Sequence, residues 1–192
     1  MLRRLYARLL ELAATDAAPW WLAAVAFAES SFFPVPPDAL LVPMVLARPA
    51  RAWRLALVAT VGSVAGGLLG YAIGYFVFDV AARPLLRLYG YEAALARFQA
   101  SYRHWGVWII LFKGVTPIPY KLVTIASGAA RFDLPTFVLA SVVTRGARFL
   151  LEAALLRVYG DRARVVIERR LGIILLGSGV AIVLGIALVG AI

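Results

Sequence analysis

The charged side chains that could do chemistry in this sequence are few, and they lie inside apolar segments. Glu29 and Asp38 flank one proline-rich break, while Lys113 and Lys121, the chain's only two lysines, flank a second. Inserting an ionisable side chain at membrane depth costs about 2.5 to 3.5 kcal/mol on insertion scales, so each one is expected to have a binding partner or a functional role. Acids that exchange a proton and cations that hold an anion are typical of a proton-linked carrier.

A third group of charges follows the second break. Arg145, Arg148 and Glu152 share one face of a predicted helix by their spacing, and Arg148 with Glu152 is an expected intrahelical pair. Arg145 is then left without a local partner near the middle of the segment, where snorkelling to the surface is hardest. We therefore favour Arg145 over Arg148 for the site. The predicted proton-coupling residues are Glu29 and Asp38, and the predicted substrate-binding residues are Lys113, Lys121, Arg145 and Arg148.

A structural alternative exists for these charges. The acids of the first break and the bases of the second could form buried salt bridges that only hold the two segments together. If the tips of the two segments meet near the membrane midplane, two carboxylates face two ammonium groups. Both interpretations could hold at different steps of one transport cycle.

Composition limits the class of protein. Of 192 residues, 63% are hydrophobic and 16% are charged, with a net charge of +10. An ordinary soluble domain is about a quarter charged, so this composition predicts an all-α integral membrane protein and excludes disorder. The basic excess lies between apolar runs, which argues against nucleic acid as a partner. With no cysteine and only His104, we expect no metal and no cofactor.

Hydropathy divides the apolar segments by length. Three reach the roughly 20 residues that a spanning helix needs, at positions 55–78, 134–156 and 171–192. Four are about half that length, at 19–28, 39–47, 105–112 and 122–130. The short ones flank prolines that must break a helix, namely Pro34, Pro36, Pro37, Pro117 and Pro119. We expect two re-entrant hairpins, the alternative being proline-rich surface loops between interfacial helices.

Two pairs of similar segments indicate an internal duplication. Residues 33–40 align without gaps on 116–123, and 85–90 resemble 155–160. The predicted organisation is two inverted repeats, about 19–90 and 105–160, within a membrane domain over 15–160. An amphipathic helix at 1–14 precedes this domain, and a basic linker with a C-terminal transmembrane helix at 161–192 follows it. In this topology ten arginines lie on the side of the N-terminus and five on the other, so we place the N-terminus in the cytoplasm.

A glycine stripe marks the first spanning helix as a packing element. Gly62, Gly66, Gly70 and Gly74 recur every four residues, and such small-residue ridges let helices approach closely. The partner of this face is either the C-terminal helix or a second protomer, which leaves a homo-oligomer open.

Three motifs together resemble a known family: residues 29–38, residues 66–74, and residues 112–121. The sequence resembles the DedA family of bacterial inner-membrane proteins, which share the VTT (SNARE-associated) domain, and most of all its short YqaA-like branch. The resemblance implies facing re-entrant hairpins and the transport of lipid carriers such as undecaprenyl phosphate, driven by the proton-motive force; eukaryotic relatives scramble phospholipids. The family's membrane-embedded acids fall on Glu29 and Asp38. Lys113 and Lys121 stand around Pro117, at wider spacing, where the family has two arginines, and lysine lacks the bidentate contact that arginine makes with phosphate.

These observations rank the function classes. We expect a proton-linked flippase or scramblase of a phosphate-bearing lipid, with membrane lipids and anionic head groups as partners, in the bacterial inner membrane. The alternatives are a proton-coupled transporter of a small soluble solute and, less favoured, a non-transporting membrane scaffold. An enzyme is not expected, because His104 has no acidic neighbour in sequence and only Ser127 or Thr116 with a lysine could form a dyad.

Overall fold

The computed structural model describes residues 17–32, 35–113 and 119–160, and these residues form helices and turns with no β-strand. The helices, in order, are α1 (Ala18–Ser31), α2 (Asp38–Ala47), α3 (Ala52–Val77), α4 (Arg83–Leu88), α5 (Glu92–Lys113), α6 (Tyr120–Ala129) and α7 (Leu134–Gly160). The predicted amphipathic helix at 1–14, Pro34, Pro117 and the predicted span at 171–192 lie outside the described residues, as does the side chain of Lys113.

Within the described ranges, two helices are long and apolar enough to cross a membrane, by length and composition. One is α3 with its flanking turns, continuous over Pro49–Val80, and the other is α7, Leu134–Gly160. They coincide with two of the three predicted spanning segments. A π-helical turn, Phe78–Ala82, follows α3 and leads into the short α4.

Prolines stand at the two places where apolar sequence changes helix. Pro37 immediately precedes α2, and its carbonyl accepts hydrogen bonds from the backbone N–H groups of Leu40 and Leu41, both at 2.9 Å. Pro119 precedes α6 in the same way, with its carbonyl accepting from Leu122 at 3.1 Å. A proline at a helix start costs nothing because its missing N–H would have no intrahelical partner there. Each break is followed by a ten-residue helix.

The prediction that the segment at 105–112 is a helix of about half a membrane's thickness was wrong. This stretch is the last part of α5, which is a single helix of 22 residues. Hydropathy falls in the first half of α5 because of polar residues such as Glu92, Arg97 and Gln99, but these residues are good helix formers and no proline interrupts them. The apolar run therefore ends where polar sequence begins, while the helix continues.

Among the described residues, the buried core consists of two clusters arranged along α3. One joins α1, α2, the first half of α3 and the second half of α7, with Leu22, Leu41, Ala56 and Phe149 buried. The other joins the second half of α3 to α5, α6 and the first half of α7, with Tyr71, Ile110, Val123 and Phe137 buried. Ala56 shares the first cluster with Phe149, and the rings of Tyr71 and Phe137 lie 5.2 Å apart in the second, so α3 and α7 are antiparallel.

The glycine stripe of α3 packs on two neighbours within the described bundle. Gly62 and Gly66 lie against the backbone carbonyls of Ala23 and Phe27 in α1, and Gly74 lies against Ile125 in α6. At each of these positions a Cβ atom would overlap backbone, which cannot move aside as a flexible side chain can. The stripe thus holds α3 between α1 and α6. Of the two partners left open by the sequence, the C-terminal helix lies outside the described residues.

This packing predicts different outcomes for two glycine substitutions. Gly66→Ala places a methyl group onto the Phe27 carbonyl, so we expect a loss of about 1 to 3 kcal/mol in the free energy of unfolding. Gly146→Ala on α7 is the matched control, because its Cβ would meet only the Thr60 methyl at 3.8 Å. The measurement is unfolding of the purified protein in detergent. Equal stability of the two variants would contradict the close α1–α3 approach.

Candidate functional site

The centre of the bundle holds a buried ion pair. Arg145, near the middle of α7, is only 2% exposed, and its Nη2 donates to Glu29 Oε2 at 2.9 Å. Its Nε donates to the Ser63 hydroxyl, near the midpoint of α3, at 2.5 Å. The Ser63 and Ser30 hydroxyls are 2.7 Å apart, and Ser30 also donates to Glu29 at 3.3 Å. The four side chains form one continuous polar network inside an apolar bundle.

Two aromatic rings enclose the guanidinium of Arg145. Its Cζ lies 4.8 Å from the centroid of the Tyr120 ring and 4.8 Å from that of Phe149. Ring faces attract cations, and the effect is larger where water is excluded. Four helices therefore fix this one side chain: α1 through Glu29, α3 through Ser63, α6 through Tyr120, and α7 itself.

A second ion pair lies one helical turn further along α7. Arg148 Nη2 donates to Asp38 Oδ2 at 2.5 Å, where Asp38 is the first residue of α2. The two side chains are 37% and 30% exposed, in contrast to 3% for Arg145 and 17% for Glu29. The second pair is thus open to the surroundings while the first is enclosed.

The structure brings together four of the six charged site residues predicted from the sequence. Glu29 meets Arg145, and Asp38 meets Arg148. The structural alternative, salt bridges between the lysines and the carboxylates, does not hold for Lys121, which is partly buried and forms no ion pair with any residue of the described ranges. The expected Arg148–Glu152 ion pair is also wrong, since Arg148 binds Asp38 instead.

The sequence prediction missed Ser30, Ser63 and Tyr120 as parts of the site. Each contributes a polar atom or a ring face to the network around Arg145. A signal was available for Ser63, which with Thr60 is one of two aliphatic hydroxyl residues inside α3, beside the glycine stripe. No local pattern indicated that this hydroxyl faces Arg145, because that contact depends on how α3 packs against α7.

The hydrogen bond from Arg145 makes a prediction about Ser63. Ser63→Ala removes a buried acceptor from a charged donor, so we expect a loss of about 1.5 to 3 kcal/mol in the free energy of unfolding. Ser101→Ala, on the exposed surface of α5, is the control and should change stability by less than about 0.5 kcal/mol. Denaturant titration in detergent measures both. A Ser63→Ala variant as stable as the control would mean that Arg145 does not depend on this hydroxyl.

A separate ion cluster lies at the C-terminal end of α3. Asp79, in the π-helical turn, pairs with Arg131 at 2.5 Å and with Arg83 at 3.2 Å, and Arg131 lies over the Tyr75 ring. Nearby, Asp133 caps the start of α7, and hydrogen bonds from the Thr136 hydroxyl and backbone N–H hold its pKa below the ordinary value. These are exposed contacts between elements, remote from Arg145. In the part of the chain that the structure describes, no three histidine or acidic side chains group closely enough to hold a metal ion.

Comparison with known proteins supplies the family. The family model of the VTT domain matches residues 35–158, a range that contains Asp38, Arg145 and Arg148. A Haemophilus influenzae protein described as uncharacterized is 35% identical over 170 residues, 88% of each chain. A Histophilus somni protein, described as an uncharacterized HI0703 homolog, is 34% identical over 147 residues, 77% of this chain and 76% of its own. No solved structure matches the chain significantly. The chain belongs to the VTT domain family, the DedA family.

Proposed function

We propose that this protein moves a phosphate-bearing lipid across the bacterial inner membrane as a proton-linked flippase or scramblase, with undecaprenyl phosphate or a phospholipid as the substrate class. The observation that carries the proposal is the buried Arg145–Glu29 pair at the middle of a helix long enough to span the membrane. Charged groups at that depth are costly, and in membrane proteins they mark ion and substrate pathways. The family is membrane-associated and transporter-like in general, which agrees with this class.

The pair is suited to exchange one anion for another. A guanidinium binds a phosphate with two parallel hydrogen bonds, as it binds a carboxylate. Nη2 of Arg145 donates to Glu29, so an arriving phosphate competes with Glu29 for the same donor. In the proposed cycle the head group takes Arg145 from Glu29, crosses the midplane, and is released when Glu29 returns.

Exchange at this site requires a proton. Once Arg145 holds a phosphate, Glu29 is left without a counter-ion in a largely buried position. An unpaired buried carboxylate is far less favourable than a neutral carboxylic acid, so Glu29 takes up a proton when the lipid binds and loses it when the lipid leaves. Asp38 and Arg148 repeat the same chemistry one turn away, where the side chains are more exposed.

Lys121 is the proposed point of first contact for the head group. It lies in the first turn of α6, directly after Tyr120, whose ring touches Arg145. Its ammonium group has no carboxylate partner among the described residues, so it is available to an anion. We assign the same role to Lys113 by its position across the second proline break.

The architecture that we propose follows from the order of helices. Each proline break precedes a ten-residue helix, a short turn and one long apolar helix, and α3 and α7 are antiparallel. We propose that α1 with α2, and α5 with α6, are re-entrant hairpins of two inverted repeats. The chain is then multi-pass with a cytoplasmic N-terminus. The site lies where the repeats meet, as in transporters built from inverted repeats.

Reconstitution tests this function. The purified chain in liposomes should increase the accessibility of a fluorescent polyprenyl phosphate in the inner leaflet to an external quencher, relative to protein-free liposomes. The same lipid without its phosphate should move much less, because it offers no anion for Arg145. Flux of a small soluble anion without lipid movement would instead support the solute-transporter alternative. No transport of either would support the scaffold.

A further inference from the structure

A third carboxyl group lies beside the Asp38–Arg148 pair. Glu152 is four residues beyond Arg148 on α7, partly buried, and its carboxyl group is within hydrogen-bonding reach of the Asp38 carboxyl. Residues four apart share one helix face, so Arg148 and Glu152 both point toward the start of α2. The Arg148 guanidinium nevertheless bonds to Asp38 and not to Glu152.

The two oxygens of Asp38 have different surroundings. Oδ2 accepts the hydrogen bond from Arg148. Oδ1 is buried and has no hydrogen-bond donor among the residues of the described ranges. A buried acceptor without a donor is unfavourable, and a proton on a neighbouring carboxyl group would supply the missing donor.

The charges around this point do not balance if both acids are ionised. Asp38 faces Glu152 from α2, and Arg148 and Arg145 face it from α7 itself. Arg145 is already bound to Glu29, so among the described residues that face this point Arg148 is the remaining cation for two carboxylates. Described side chains of α1 and α3 that pack on this part of α7 include Leu22, Leu55 and Ala56, all apolar. Two carboxylates in contact in such surroundings share a proton.

We propose that Asp38 and Glu152 hold one proton between them, with Glu152 donating to Asp38 Oδ1, and that this carboxyl pair is the site at which the coupling proton enters and leaves the bundle. The inference rests on the proposed function and adds Glu152 to it. Asp38 is 30% exposed, whereas Glu29 is 17% exposed and already accepts from Arg145 and Ser30. A proton from water therefore reaches Asp38 and Glu152 more readily than it reaches Glu29.

The pair also links proton binding to the anion. While Arg148 holds Asp38, the site is neutral with one proton on it. When a phosphate draws Arg148 away, the remaining negative charge favours a second proton on the pair. Release of the phosphate returns Arg148 to Asp38 and expels that proton. In this scheme the acids keep the site close to neutral at each step.

Infrared spectroscopy of the full chain in liposomes tests the shared proton. At neutral pH the wild type should show the C=O band of a protonated carboxylic acid. Glu152→Gln should abolish that band, because Asp38 is then ionised against Arg148. Asp38→Asn should abolish it too, because Glu152 then becomes the partner of Arg148. Glu92→Gln, an exposed glutamate on α5, should leave the band unchanged.

The proposal is overturned if the wild type lacks the band, or if the band survives in either Glu152→Gln or Asp38→Asn. Size-exclusion chromatography confirms that each variant is folded. Translocation of fluorescent polyprenyl phosphate, measured in the same vesicles, separates this inference from the function beneath it. If the wild type translocates the lipid but lacks the band, the shared proton is wrong and the proposed function still holds. If it shows the band but does not translocate the lipid, the proposed function is wrong.

Discussion

Arg145→Met is expected to lower the free energy of unfolding by about 3 to 5 kcal/mol, the largest stability effect that we expect in this chain. The substitution leaves Glu29 largely buried without its counter-ion, and also removes the bond to Ser63 and the contacts with two rings. Arg157→Met is the matched control: the same change on the same helix, at an exposed position, should alter stability by less than about 0.5 kcal/mol.

Adding Glu29→Leu to Arg145→Met is expected to restore most of the lost stability. Replacing both members of a buried ion pair by apolar groups is often neutral or stabilising, because neither charge remains to be desolvated. Denaturant titration of the single and double variants in detergent measures the coupling between the two positions. Additive effects of the two substitutions would show that Glu29 and Arg145 do not act as a pair.

Breaking the second ion pair is expected to affect transport more than stability. Asp38→Asn and Arg148→Gln should each reduce the rate of lipid translocation at least tenfold, a change of about 1.4 kcal/mol in activation free energy. Their effect on unfolding should be smaller than that of Arg145→Met, because both side chains are about one-third exposed and water replaces part of each lost interaction.

The Asp79–Arg131 pair is the matched control for this prediction. It has the same 2.5 Å separation and comparable exposure, but it lies at the other end of α3. Asp79→Asn should leave the translocation rate within about twofold of the wild type. If Asp79→Asn and Asp38→Asn slow translocation equally, the effect belongs to ion pairs in general and the assignment of Asp38 to the site is wrong.

Local features of the sequence were enough to predict much of the fold. Hydropathy located two spanning helices, and prolines such as Pro37 and Pro119 stand at the starts of α2 and α6, because both signals depend only on neighbouring residues. The extent of α5 was missed for a related reason. Hydropathy reports which residues avoid water, and the polar first half of α5 is helical without being apolar.

The site could be predicted residue by residue but not contact by contact. Glu29, Asp38, Arg145 and Arg148 were identified because a charge inside an apolar segment is costly wherever the segment packs. Their partners depend on tertiary packing. The glycine stripe sets α3 against α1 and thereby places Ser63 beside Ser30, and the antiparallel return of α7 brings Arg145 to both. The spacing of residues along the chain does not contain either of these contacts, which is why it favoured Glu152 over Asp38 as the partner of Arg148.

The same geometry leaves two interpretations of the Arg145–Glu29 pair, a structural brace and a transport centre. A brace needs only that the helices stay together. A transport centre needs the guanidinium itself, because its positive charge and paired N–H donors are what bind the phosphate in the proposed cycle. The two interpretations predict different transport rates for a variant that is folded but has no charge at either position.

The measurement that separates them is the initial rate of fluorescent polyprenyl phosphate translocation in liposomes containing the Arg145→Met/Glu29→Leu double variant, compared with the wild type at equal protein content. The proposed mechanism predicts that this variant, with its stability restored, translocates no faster than protein-free liposomes. Translocation at the wild-type rate would contradict it, and would assign to the buried pair the role of a brace.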